Sequence, residues 1–93
     1  MKILIVGCGY IGTALAEKLA RSAKVLAVTS SDKHHDRLKS IGVKPLVADV
    51  ETRHWYKDLP ASVDVIVNTI SSGGRDYRAI YWASNYDLLE KYG

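Results

Sequence analysis

The sequence predicts an α/β fold: a parallel sheet of four strands in the order 3-2-1-4, sandwiched between two layers of helices. Two observations carry the prediction. First, short unbroken apolar runs recur at Ile3-Leu4-Ile5-Val6, Val25-Leu26-Ala27-Val28, Leu46-Val47-Ala48 and Val65-Ile66-Val67. Runs without polar–apolar alternation suit strands covered on both faces, as in parallel sheets. Second, the stretches between them place apolar residues at helical spacing. Strands alternating with helices imply βαβ units, parallel strands and right-handed crossovers.

The first strand, 3–6, runs into three glycines, Gly7, Gly9 and Gly12. A helix follows, with Ile11, Ala14, Leu15, Ala16, Leu19 and Ala20 on one side and Glu17, Lys18 and Arg21 on the other. The second strand is 25–28. Asp32 is then placed to cap a second helix whose apolar side holds Leu38 and Ile41, and Gly42 to stop it. The third strand, 46–48, ends at Asp49. Residues 51–59 are ambiguous: Trp55 and Leu59 fit one apolar side of a short helix, ended by Pro60. The fourth strand, 63–67, closes at Asn68-Thr69, and the loop Ser71-Ser72-Gly73-Gly74 leads to a last helix over 76–92. Tyr77, Ile80, Tyr81, Ser84, Leu88 and Tyr92 give that helix a packing face.

The chain has 93 residues, 47% hydrophobic and 25% charged, which is an ordinary globular balance for one small domain. Its net charge of +3 comes from scattered residues such as Lys2, Lys18, Lys24, Lys39, Lys57 and Lys91. They form no stripe of the kind that binds nucleic acid. Cys8 is the only cysteine, which fits a reducing compartment. The apolar run behind Met1-Lys2 is too short for a secretory signal, and no stretch approaches the ~20 residues of a membrane span. The expectation is a soluble, cytoplasmic protein without nucleic-acid or membrane partners. His34 and His35 are adjacent, so they do not share a helix face, and they read as surface residues. No Cys or His stands at metal-ligand spacing.

The three glycines lie where a strand hands over to a helix, and in that setting each has a physical reason. Gly7 permits the tight turn out of the strand. Gly9, lacking Cβ, lets a pyrophosphate approach the main chain, and Gly12 lets the helix pack closely on the sheet. The N–H groups of the first helical turn, at Tyr10 and Ile11, then face the anion together with the helix dipole. The turn is thus a dinucleotide site in a partial Rossmann-like fold, at the point where the strand order reverses. The end of the second strand selects the cofactor. Where an NAD site carries a carboxylate for the ribose 2′-hydroxyl, this chain has Thr29, Ser30 and Ser31, with Lys33 nearby. Hydroxyls and a cation favour the 2′-phosphate of NADP over NAD.

The pieces VGCGYIG, VTSS, VADVET, VNTISS and YRAIYWASNYDLLEKYG together resemble the N-terminal part of the extended and atypical short-chain dehydrogenase/reductase superfamily, the NAD(P)-dependent nucleoside-diphosphate-sugar epimerases and dehydratases. The glycine spacing GxGxxG, rather than GxxGxxG, places it with the atypical members. The resemblance implies that Asp49 and Val50 contact adenine, and that Thr69, Ile70 and Ser71 pass beneath the cofactor. The family's catalytic Tyr-x-x-x-Lys pair is not found: Tyr77 and Tyr86 have Tyr81 and Glu90 where the lysine would stand. The expectation is therefore residues 1–93 as the N-terminal, truncated portion of an oxidoreductase or epimerase. The fourth strand is left as an edge for a homodimer partner or the missing C-terminal half. Two other readings remain open: a nucleotide-sensing regulatory domain of the potassium-transport type, and a dimerisation module.

Overall fold

The alternation of apolar runs and helical stretches folds as β1 (Lys2–Val6), α1 (Tyr10–Leu19), β2 (Lys24–Thr29), α2 (His35–Ser40), β3 (Val43–Val47), a 3-10 turn at Trp55–Asp58, β4 (Val65–Asn68) and α3 (Tyr77–Tyr92). This computed structural model describes residues 1–7, 10–52, 54–70 and 77–93, with the backbone alone at Tyr10, Ile11 and Tyr77. The four strands form one parallel sheet in the order β3-β2-β1-β4, as the sequence predicts.

The unbroken apolar runs have a direct explanation in the two cores. Side chains alternate across a strand, so β1 sends Ile3 and Ile5 to one face and Leu4 and Val6 to the other. Ile3 and Ile5 join Val25, Ala27 and Val43 beneath Ala16 of α1 and Leu38 of α2. Leu4 and Val6 join Leu26 and Val28 against Trp55, Leu59 and Leu88 of α3. Both faces are covered, and no polar position is tolerated in the middle of β1 or β2. Each fully buried Leu or Ile contributes about 2 kcal/mol by leaving water, and Leu4, Ile5 and Val6 have no exposed surface at all.

Several details differ from expectation. β4 covers Val65–Asn68 rather than 63–67. β3 starts at Val43 rather than Leu46 and includes Pro45, paired with Ala27. Proline lacks a ladder donor and is admitted only at a sheet edge, which is where β3 lies. Asp32 does not cap α2. The helix begins at His35 after His34, without a side-chain cap bond, and the Asp32 carbonyl instead accepts from His35 N–H at 3.1 Å. Gly42 does end α2, in the left-handed conformation at φ +85°. On α3, the expected packing face is buried at Ser84 and Leu88, but Trp82, Tyr86 and Leu89 form a second stripe that stays 60%, 69% and 64% exposed. The loop 71–74 lies outside the described residues.

Side-chain hydrogen bonds fasten α3 to the 3-10 turn and the loop after it. Trp55 Nε1 donates to Asp87 Oδ2 at 2.8 Å, and Tyr92 Oη donates to the Pro60 carbonyl at 2.7 Å. Burial raises the Tyr92 hydroxyl above its ordinary pKa. Below about pH 10, the ordinary tyrosine value, both folded and unfolded chains carry the neutral hydroxyl and this bond contributes in full; above it the unfolded chain ionises first and stability falls. Tyr92→Phe should therefore cost about 1 kcal/mol near neutrality. Its deficit relative to the native chain should shrink as pH rises past about 10, read from urea unfolding at a series of pH values.

Candidate functional site

The carboxyl ends of all four strands meet along one edge of the sheet, and main-chain hydrogen bonds fix their heights. Gly7 N–H donates to Val28 O at 3.0 Å, Ala48 N–H to Thr29 O at 2.9 Å, and Thr69 N–H to Val6 O at 2.8 Å. The predicted residues Gly7, Thr29, Ser30, Asp49, Val50, Thr69 and Ile70 thus stand at or just beyond the ends of four hydrogen-bonded strands. Ser31 and Lys33 follow in the loop from β2 to α2. Tyr10 and Ile11 open α1, and Gly12 is buried in its first turn. Gly9 and Ser71 lie outside the described residues.

The reversal point of the sheet, between β1 and β4, is a tight joint. Gly7 has φ +82°, which L side chains rarely adopt. A Cβ there would sit 2.8 Å from Ile70 Cγ1 and 2.9 Å from the Ile70 Cα and N. The close approach to Gly7 is thus made by the chain's own β4 end. Thr69 Oγ1 donates to the Gly7 carbonyl in the same joint. Asn68, the last residue of β4, holds it from behind. Its Nδ2 donates to Ser84 Oγ and to Asn85 Oδ1, each at 2.9 Å, and its Oδ1 accepts from Ile70 N–H at 3.1 Å. Ser84, fully buried, passes its own proton to Tyr81 O at 2.7 Å. Asn68 has no role in the sequence reading; an asparagine ending an apolar run opposite a helical serine was the available signal.

The far side of the site is polar. Asp49 is exposed, and its Oδ1 accepts from Glu51 N–H at 2.9 Å, so one carboxylate oxygen is tied into its own turn. At the end of β2, Thr29 Oγ1 bonds the Ser31 carbonyl at 2.7 Å and His35 Nε2 at 2.9 Å. His35 is accordingly half-buried and not the surface residue its neighbour His34 is. Ser30, Ser31 and Lys33 are exposed. The strand end thus carries hydroxyls, an imidazole and an ammonium, with no carboxylate on β2 itself. Among the described residues, no group of three or more His, Cys, Asp or Glu could hold a metal ion.

A parallel sheet with its polar ends gathered at the β1–β4 reversal is the geometry of a dinucleotide domain, and the family model described as the TrkA-N domain matches residues 3–87. The chain belongs to the TrkA-N domain family. It is an NAD(P)-binding Rossmann domain. Among solved structures, this TrkA-N chain is similar to a protein described as an NAD-dependent epimerase/dehydratase from Bacillus halodurans. The TM-score is 0.76 at 23% identity, over 97% of this chain and 45% of that one. It is also similar to a functionally unknown conserved protein from Silicibacter pomeroyi, with TM-score 0.59 at 18% identity, over 98% of this chain and 32% of that one. These likenesses show the fold, and the fold agrees with the resemblance to epimerases and dehydratases read from the sequence. The chain spans less than half the length of either structure. No curated protein matches it. No described helix is long and apolar enough to cross a membrane.

Gly7 and Gly42, the two left-handed glycines among the described residues, separate backbone strain from close packing. Gly42→Ala meets only ordinary contact, with Ala20 Cβ at 3.8 Å, and should cost about 1 kcal/mol from the left-handed backbone alone. Gly7→Ala adds overlap with the Ile70 main chain and should cost about 3 kcal/mol. Urea midpoints at equal slope check the difference.

Proposed function

We propose that residues 1–93 are the N-terminal, cofactor-holding portion of a longer oxidoreductase or epimerase of the extended short-chain dehydrogenase type, which binds NADP in preference to NAD. The observation that carries the reading is the convergence of Gly7, Thr29, Asp49 and Thr69 at one sheet edge, with α1 starting directly beyond the glycine turn. In this reading the pyrophosphate rests on main-chain N–H groups of the turn, with Gly9, Tyr10, Ile11 and Gly12 around it. Thr29, Ser30, Ser31 and Lys33 surround the ribose 2′-phosphate. Asp49 and Val50 contact adenine, and Thr69, Ile70 and Ser71 lie beneath the nicotinamide half. The bound cofactor supplies hydride chemistry at its nicotinamide ring; these residues bind and orient it.

The Bacillus halodurans neighbour, described as an NAD-dependent epimerase/dehydratase, supports this reading. Membership of the TrkA-N family supports a second one, a nucleotide-sensing regulatory domain. The end of β2 favours the enzyme: a sensor that discriminates NADH or ADP wants an acidic residue where Thr29 and Ser30 stand. The outer edge of β4 and the exposed stripe of Trp82, Tyr86 and Leu89 are where the remainder of the polypeptide docks. A second copy is the alternative occupant, and a free strand edge accepts either. A cytoplasmic setting fits the single cysteine.

Calorimetric titration decides between the readings. NADPH should bind at least tenfold more tightly than NADH, a difference of about 1.4 kcal/mol or more. Preference for NADH or ADP would favour the sensor, and binding of none would leave only a dimerisation module. Gly9→Val should abolish nucleotide binding with an unchanged circular dichroism spectrum, because its methyl groups occupy the space of phosphate oxygens. Retained affinity in that variant would remove the turn from the site.

A further inference from the structure

The hydrogen bonds around Thr29 determine which way its proton points. Thr29 Oγ1 lies 2.7 Å from the Ser31 carbonyl and 2.9 Å from His35 Nε2. A carbonyl only accepts, so the threonine proton goes to Ser31. The contact with His35 is then an imidazole Nε2–H donating to Oγ1. Thr29 therefore has no proton left for a ligand. It acts instead as a node joining the end of β2, the following loop and the first residue of α2.

The loop so tied contains Ser30, Ser31 and Lys33, all exposed. Lys33 N–H approaches Ser31 Oγ at 3.5 Å, so that oxygen is an acceptor within the loop and its proton remains for an external acceptor. The segment carries two hydroxyls, the Lys33 ammonium and the Asp32 carboxylate, all exposed; the hydroxyls and the ammonium suit a phosphomonoester dianion when Asp32 faces away from it. A segment of polar residues left loose would forfeit about 1–2 kcal/mol per residue of backbone entropy on binding. One that is already fixed avoids that loss.

We propose that His35 is a positioning residue for recognition of the ribose 2′-phosphate: through Thr29 it holds the 30–33 loop in the form that presents Ser30, Ser31 and Lys33 to that phosphate. The proposal rests on the NADP reading above and adds a residue outside the strand end. It separates Thr29, which organises the loop, from the groups that touch the ligand. NADH lacks the 2′-phosphate, so its affinity depends far less on how the loop is held.

The test is titration of NADPH and NADH into the intact protein and into His35→Ala, His35→Gln and Thr29→Val, with circular dichroism on each. His35→Ala and Thr29→Val should weaken NADPH about tenfold and change NADH by less than about twofold. His35→Gln keeps a side-chain N–H for Thr29 and should hold NADPH affinity within about threefold of the native value. Equal losses for both cofactors, an unchanged NADPH affinity in His35→Ala, or a glutamine variant as weak as the alanine one would overturn the role of His35 while leaving the NADP reading intact. A native protein that prefers NADH, or binds neither, overturns both. Should His35→Ala lose its fold, the contrast between Thr29→Val and His35→Gln decides the same question.

Discussion

The joint between Gly7 and Ile70 is the constraint on which the rest of the structure depends. β1 and β4 are neighbours in the sheet, and their ends diverge at the point where the strand order reverses. That divergence makes the crevice of a doubly wound fold, and its depth depends on how closely the two ends pack before they part. Here the backbone of Ile70 occupies the space a side chain at residue 7 would need. The joint is closed by Thr69 on the Gly7 carbonyl and backed by Asn68 on α3. Glycine at position 7 is thus required twice, by its left-handed backbone and by its neighbour. The first requirement shapes the turn into α1, and the second sets the floor beneath it.

The two cores divide the work of supporting that floor. On one face the small side chains Ala16 and Ala27, both without exposed surface, bring α1 close to β1 and β2. Close approach sets the height of α1 above the strands it crosses. On the other face the contacts are larger and partly polar: Trp55 packs in the core while its ring N–H reaches Asp87. A buried indole N–H without a partner would be costly. The carboxylate of Asp87 thus permits an aromatic residue to close the core under β2 and β1. Ser84 is the same case, a fully buried hydroxyl made acceptable by Asn68 and the Tyr81 carbonyl.

Much of this was legible in the sequence, for a definite reason. A strand buried on both faces leaves a continuous apolar run, and a parallel sheet forces helices between such runs. The strand order and the role of Gly42 therefore followed from residues read one segment at a time. What was misread depended on distant partners. The apolar run starts the third strand at Leu46, but the fold extends it back to Val43 through Pro45, which the edge position of β3 admits. Asp32 looked like a cap because Asp often is one, but α2 starts where His35 is held back to Thr29. His34 and His35 are indistinguishable along the chain, and only the fold shows that one faces solvent and the other joins the site. On the last helix the spacing marks the face of Ser84 and Leu88, whereas the second, exposed stripe of Trp82, Tyr86 and Leu89 is seen only in the fold.

That second stripe completes a contrast between the two flanks of the sheet. On the β3 flank, the edge is blunted by Pro45 and by the exposed Lys44, features that discourage further pairing. On the β4 flank no such device is present among the described residues: Val65 is 38% exposed, and the strand carries neither charge nor proline. An apolar strand edge without such a device is a template for association, so the two flanks are not equivalent: β3 is protected against pairing and β4 is open to it.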